Sequence, residues 1–179
     1  MIQKIFSSTI ILLFLFISFS YSQNVQNETV NKSTDLGVSV QLYPSGIITT
    51  INSEMYLSAK KSLLFRAGIN FANRKDFSPY NENEKGIGFG GSAGYRRHIY
   101  LKKGNIVTGI HTDIWNMWIN WKNNIGESDY TFGKTYTLVL QPWLEAGYFF
   151  TVKKSPLQIG LTTAFGREIN IIMNGKEVG

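Results

Sequence analysis

The side chains able to do chemistry are few. Ser92, His98, His111, Asp113 and Glu145 bring together a hydroxyl, the chain's two histidines and two acids. A serine, a histidine and an acid within hydrogen-bond reach would make a nucleophilic relay. The spacing argues against one. In an extended strand, His111 and Asp113 lie two residues apart on one face. Pairing 86–100 with 105–121 sets His111 opposite Gly94 and Asp113 opposite Ser92, with no histidine between hydroxyl and acid. His98 falls roughly 13 Å farther along, at ~3.3 Å per residue. We therefore assign no catalytic residue and expect no enzyme. Two separated histidines and no cysteine leave no transition-metal set, and no cofactor is expected. The run Gly86-Ile87-Gly88-Phe89-Gly90-Gly91 has neither the following helix nor the lysine of a phosphate loop. Its alternating glycines suit a wall that makes room for large side chains.

The elements that must carry these residues read as strands. From Thr135 to Phe150, Tyr136, Leu138, Leu140, Leu144, Ala146, Tyr148 and Phe150 alternate with Thr137, Val139, Gln141, Trp143, Glu145, Gly147 and Phe149. After a basic turn, Leu157, Ile159, Leu161, Thr163 and Phe165 alternate with Gln158, Gly160, Thr162, Ala164 and Gly166. The same period marks 36–43, 47–58, 63–72, 86–100 and 105–121. About seven strands result, several much longer than the usual ~5–6 residues. Connections alternate in kind. Short basic turns hold Lys60-Lys61, Lys102-Lys103 and Lys153-Lys154, whereas 73–85 and 122–134 are long polar loops. After Gly166 the chain reads REINIIMNGKEVG, in which Asn174-Gly175 to Gly179 read as the start of another outer loop; the alternative, INIIMN as an eighth strand, requires a very tight turn at Arg167-Glu168.

The chain of 179 residues opens with Lys4 and an apolar run, Ile10 to Phe16, followed by small residues at Ser20 and Ser22. This predicts a secretory signal peptide over 1–22, cut after Ser22. An uncleaved anchor would need ~20 apolar residues. Without 1–22, the chain keeps 17 basic against 12 acidic residues. The lysines cluster at turns rather than in a stripe, and an exported chain seldom meets nucleic acid, so no nucleic-acid partner is expected. Residues 23–34 are polar and predict a flexible tail. The absence of cysteine rules out a disulfide framework.

Leader, alternating strands, Lys-Lys turns, aromatic strand ends and the FGREINIIMNGKEVG segment resemble the small outer-membrane β-barrels of Gram-negative bacteria. The likeness is to outer membrane protein X and the membrane domain of outer membrane protein A, and it covers roughly residues 35–179. The fold it implies is an all-β, antiparallel, up-and-down transmembrane barrel over 35–179. Eight strands are expected, with about seven present and the C-terminal strand absent. The resemblance further implies a monomer in the cell outer membrane, in contact with lipopolysaccharide.

With the oily faces toward lipid, Glu54, Arg66, Arg96, His111, Asp113 and Glu145 fall on the interior faces. Buried charges must pair, which predicts a structural plug. Glu54 should meet Arg66 across their hairpin, and Glu145 and Asp113 should meet Arg96. Trp115, Trp118, Trp121 and Tyr148 are expected as an interfacial aromatic girdle. The functional expectation is a structural or surface-interaction barrel that displays loops 73–85 and 122–134, without catalysis or an open pore. The competing readings are a soluble lipocalin-like periplasmic carrier of an apolar ligand and a barrel enzyme that modifies lipid A acyl chains.

Overall fold

Alternation of period two over most of the chain gives strands with two unlike faces, and such strands must share a sheet. The computed structural model describes residues 15–21, 33–75, 83–152 and 157–177. The leader residues 1–14, the tail 22–32, the centre of the first long loop at 76–82 and the basic turn at 153–156 lie outside them. Every element in the described residues is a strand: β1 Leu15–Tyr21, β2 Thr34–Tyr43, β3 Gly46–Ser58, β4 Lys61–Lys75, β5 Asn83–Leu101, β6 Gly104–Asn123, β7 Thr131–Thr151, β8 Leu157–Gly166 and β9 Ile169–Glu177. The fold is all-β, antiparallel and up-and-down. Strands β2 to β8 pair each with the next and curl into one wall.

The eighth place in the ring, between β2 and β8, is held by β1. Leu15 to Tyr21 pair with Leu42 to Leu36 on one side, and Phe16 to Tyr21 with Thr162 to Leu157 on the other. This stretch lies inside the expected signal peptide.

β9 differs from the sequence expectation. The chain neither enters a loop at Asn174-Gly175, which pair with Tyr136 and Thr135, nor reverses at Arg167-Glu168. It runs on along the same neighbour, with Gly166 opposite Trp143, Ile169 opposite Leu140 and Glu177 opposite Gly133. The physical reason is Pro142, which has no N–H for a ladder. The ladder breaks beside it, the Arg167 N–H donates to the Pro142 carbonyl at 3.2 Å, and pairing then resumes. The second long loop is also narrower than expected. β6 reaches Asn123 and β7 starts at Thr131, and the Asn124 side chain donates to Asp129 Oδ2 at 2.8 Å to tie the loop across its base.

The wall is inside out relative to a soluble sandwich. Leu36, Ile51, Phe89, Ile110, Leu144 and Phe165 are outward and exposed. Gln41, Asn70, Arg66, Arg96, Asp113 and Glu145 are buried inside. An eight-stranded ring has room inside for side chains and little else. Toward the long-loop end that room is filled by Ile48, Trp115, Met117 and Val139, with Tyr43, Ala72 and Ile119 against them. Inward glycines let these large groups fit: a Cβ on Gly90 would lie 2.7 Å from the Trp115 ring, and one on Gly88 would overlap the Met117 sulfur.

Candidate functional site

Toward the short-turn end the interior carries charge. β3 supplies Glu54, β4 Ser62 and Arg66, β5 Ser92, Arg96 and His98, β6 His111 and Asp113, and β7 Trp143 and Glu145. All take the inner face because each shares the parity of a buried neighbour. Their pairing was only partly as expected. Arg66 does not meet Glu54. Its Nη2 lies 2.7 Å from Asp113 Oδ1, and its Nε donates to Ser92 Oγ at 2.7 Å. Arg96 does meet Glu145, through Nε to Oε1 and Nη2 to Oε2. Its Nη1 takes Glu54 Oε2 at 3.0 Å, where Asp113 had been expected. Across the β3–β4 ladder Arg66 stands level with Asn52, and Glu54 with Leu64. Arg66, Ser92 and Asp113 stand on one rung across β4, β5 and β6, within reach of a long arginine side chain, whereas Glu54 lies two residues off that rung.

Three carboxylates thus face two guanidiniums. The surplus acid, Glu54, is covered otherwise: Ser62 Oγ donates to its Oε1, and His98 Nε2 lies 2.8 Å from the same oxygen. Ser62 Oγ is also 2.9 Å from His98 Nε2, and Asn105 Nδ2 is 3.2 Å from His98 Nδ1. His98 is stacked on Tyr100 and tilted against Tyr56, whose hydroxyl donates to Asp35. The Trp143 indole N–H donates to Asp113 Oδ2 at 3.1 Å.

Chemically this is a set of neutralised ions. A serine, a histidine and an acid do meet at Ser62, His98 and Glu54, a grouping that sequence reading missed because Ser62 was assigned to the turn. Serine and glutamate share one imidazole nitrogen, and asparagine faces the other. A relay needs hydroxyl and acid on opposite nitrogens. Ser62 is also wholly buried, so no substrate reaches it. Ser92 serves Arg66 rather than a histidine. His111 lies 3.7 Å from Asp113 and 3.6 Å from Glu145, beyond hydrogen-bond length. The carboxylate oxygens are already matched by guanidinium, hydroxyl or indole donors, which suits an ion-pair plug better than a ligand cage. Parity of the inner faces could have flagged Ser62, Asn105 and Trp143.

The expected girdle divides. Trp118 is outward and exposed, against Phe89 and Tyr136 at 5.5 Å each. Tyr148 shares the outer face and packs edge-on against Phe150 at 4.5 Å. Trp115 corrects the expectation: it is 1% exposed and part of the inner core, because it shares the parity of His111 and Asp113. Trp121 has that parity too, and its indole N–H donates inward to Thr135 Oγ1 at 3.0 Å. Compared with known proteins, the chain matches no protein-family model and no curated protein. Its class, an all-β up-and-down barrel wall with polar side chains inside, therefore rests on the fold alone.

Proposed function

We propose that this protein is an exported outer-membrane β-barrel with a structural or surface-interaction role, in which the wall sits in lipid and the β4–β5 and β6–β7 loops face outward. The observation that carries the reading is the sidedness of the wall: apolar side chains exposed outside and paired charges inside. Exposed apolar patches far beyond a few hundred Å² mark a contact surface, and here exposed apolar side chains recur on every strand from β2 to β8. On β6 the outer face carries Ile106, Ile110, Ile114 and Trp118, with Thr108, Thr112 and Asn116 between them. Ile106 to Trp118 is ~40 Å along the strand, or ~30 Å upright at a tilt of 35–45°, the thickness of a hydrocarbon core. Lys102-Lys103 bound this band at one end and Lys122 at the other.

The plug argues for a sealed body rather than a pore. A lipocalin-like carrier of an apolar ligand needs the reverse sidedness. Export with removal of 1–22 empties the β1 position, and the edges of β2 and β8 then need another strand to satisfy their backbone in lipid.

The test is refolding in detergent followed by electrophoresis with and without boiling. A faster unboiled band that is lost on boiling is the expected result. Solubility in plain buffer with no shift would remove the membrane reading.

A further inference from the structure

The outer face carries one feature that a plain lipid-facing wall does not need. At the long-loop rim, Lys85 of β5, Asn120 and Lys122 of β6, and Phe132 and Lys134 of β7 line an open cavity of about 390 Å³ together with Asn83, Trp121 and Gly133. The ladders align these strands in two rungs, Asn83–Lys122–Phe132 and Lys85–Asn120–Lys134. At the backbone Lys176 of β9 extends the second rung beside Lys134. Lys85, Lys122 and Lys134 are all exposed and share the outward parity of Phe89, Trp118 and Tyr136. Among the described residues none of the three is in a salt bridge. Of the nearby acids with described side chains, Glu84 faces Arg74 and Asp129 takes Asn124; at the backbone Glu177 of β9 stands opposite Gly133. Like charges gathered on one face repel, so three exposed lysines at this rim favour an anion. Asn83 adds a buried Oδ1 that has no hydrogen-bond partner among the described residues, an acceptor for a hydroxyl.

Two residues below, roughly 6–7 Å along the strands, lie Trp118 and Tyr136, with Phe89 and Leu138 beneath. A ligand seated here would have an anionic, hydroxylated head at the lysines and an apolar body against the aromatics. We infer that the rim of β5, β6 and β7 is a binding site for the phosphate-bearing headgroup of a lipid whose acyl chains lie on the outer face below it. This rests on the membrane reading above. Lysine binds phosphate as a point charge on a stem that itself lies along apolar surface.

Tryptophan quenching by brominated lipids tests it in the full chain reconstituted in phosphatidylcholine bilayers. Brominated phosphatidic acid should quench more strongly than brominated phosphatidylcholine. The triple variant Lys85→Gln, Lys122→Gln, Lys134→Gln should lose that preference by about tenfold or more, since each lysine near an anionic surface contributes roughly fivefold. These lysines are exposed, so the variant should keep its heat-modifiable band. Quenching by both lipids with no preference, or a preference unchanged in the variant, would overturn the inference and leave the membrane reading standing. Loss of the preference on adding inorganic phosphate would mean a free-phosphate site and overturn the lipid assignment. No quenching by brominated phosphatidylcholine would remove the membrane reading itself.

Discussion

The two halves of the barrel interior solve the same problem with different chemistry. Near the short turns, Arg66, Arg96, Glu54, Asp113 and Glu145 fill the space with paired charge. Near the long loops, Trp115, Met117, Val139 and Ile48 fill it with apolar volume. An ion network is sensitive to the identity of each partner, because a lone buried charge is costly. An apolar plug is sensitive to volume. The difference teaches that the charged half specifies which strands meet, and the apolar half fills the remaining space.

Substitutions can break this contrast. Arg96→Met should have the largest effect, because it strands Glu54 and Glu145 together. A cost of about 3–5 kcal/mol is expected, read as a lower urea midpoint by tryptophan fluorescence in detergent micelles. The comparison sharpens with a paired change: Arg66→Met with Asp113→Leu should cost much less than either alone, since removing both ions is often near neutral. In the apolar half, Met117→Ala should cost about 2–3 kcal/mol in the same assay, through the cavity it leaves beside Gly88. Filling should hurt there too: Gly90→Ala sets a methyl against the Ile114 carbonyl oxygen as well as the Trp115 ring, so backbone must shift, at about 2–3 kcal/mol. The smallest effect belongs to the rim pair Arg74–Glu84, 3.9 Å apart and half exposed. Arg74→Ala should change stability by less than about 0.5 kcal/mol.

Much of the wall was legible because side-chain parity survives in sequence. Six strand ranges from Leu36 to Phe150, and 157–166 after them, fell within about four residues of the observed bounds, and Glu54, Arg66, Arg96, His111, Asp113 and Glu145 all turned inward. Pairing was only partly legible: the β5–β6 register set Asp113 opposite Ser92, but parity leaves open which inward residue a long side chain meets two strands away. That is why Arg66 was matched to Glu54 on the adjacent strand, and Asp113 was missed. Trp115 was grouped with Trp118 by proximity to a loop, although its parity already opposed this. The course of 167–177 was hidden because Arg167-Glu168 looks like a reversal until Pro142 is seen across the ladder. The strand at Leu15–Tyr21 was hidden by the stronger pattern of a leader.

The central claim is that the exposed apolar face lies in lipid. The chain has no cysteine, so single cysteines at Ile110, Leu144, Leu161 and Phe165 can each carry a nitroxide without background. In reconstituted bilayers, collision with oxygen should dominate over collision with a water-soluble nickel chelate at all four sites. Domination by the nickel chelate would place this face in water and contradict the account.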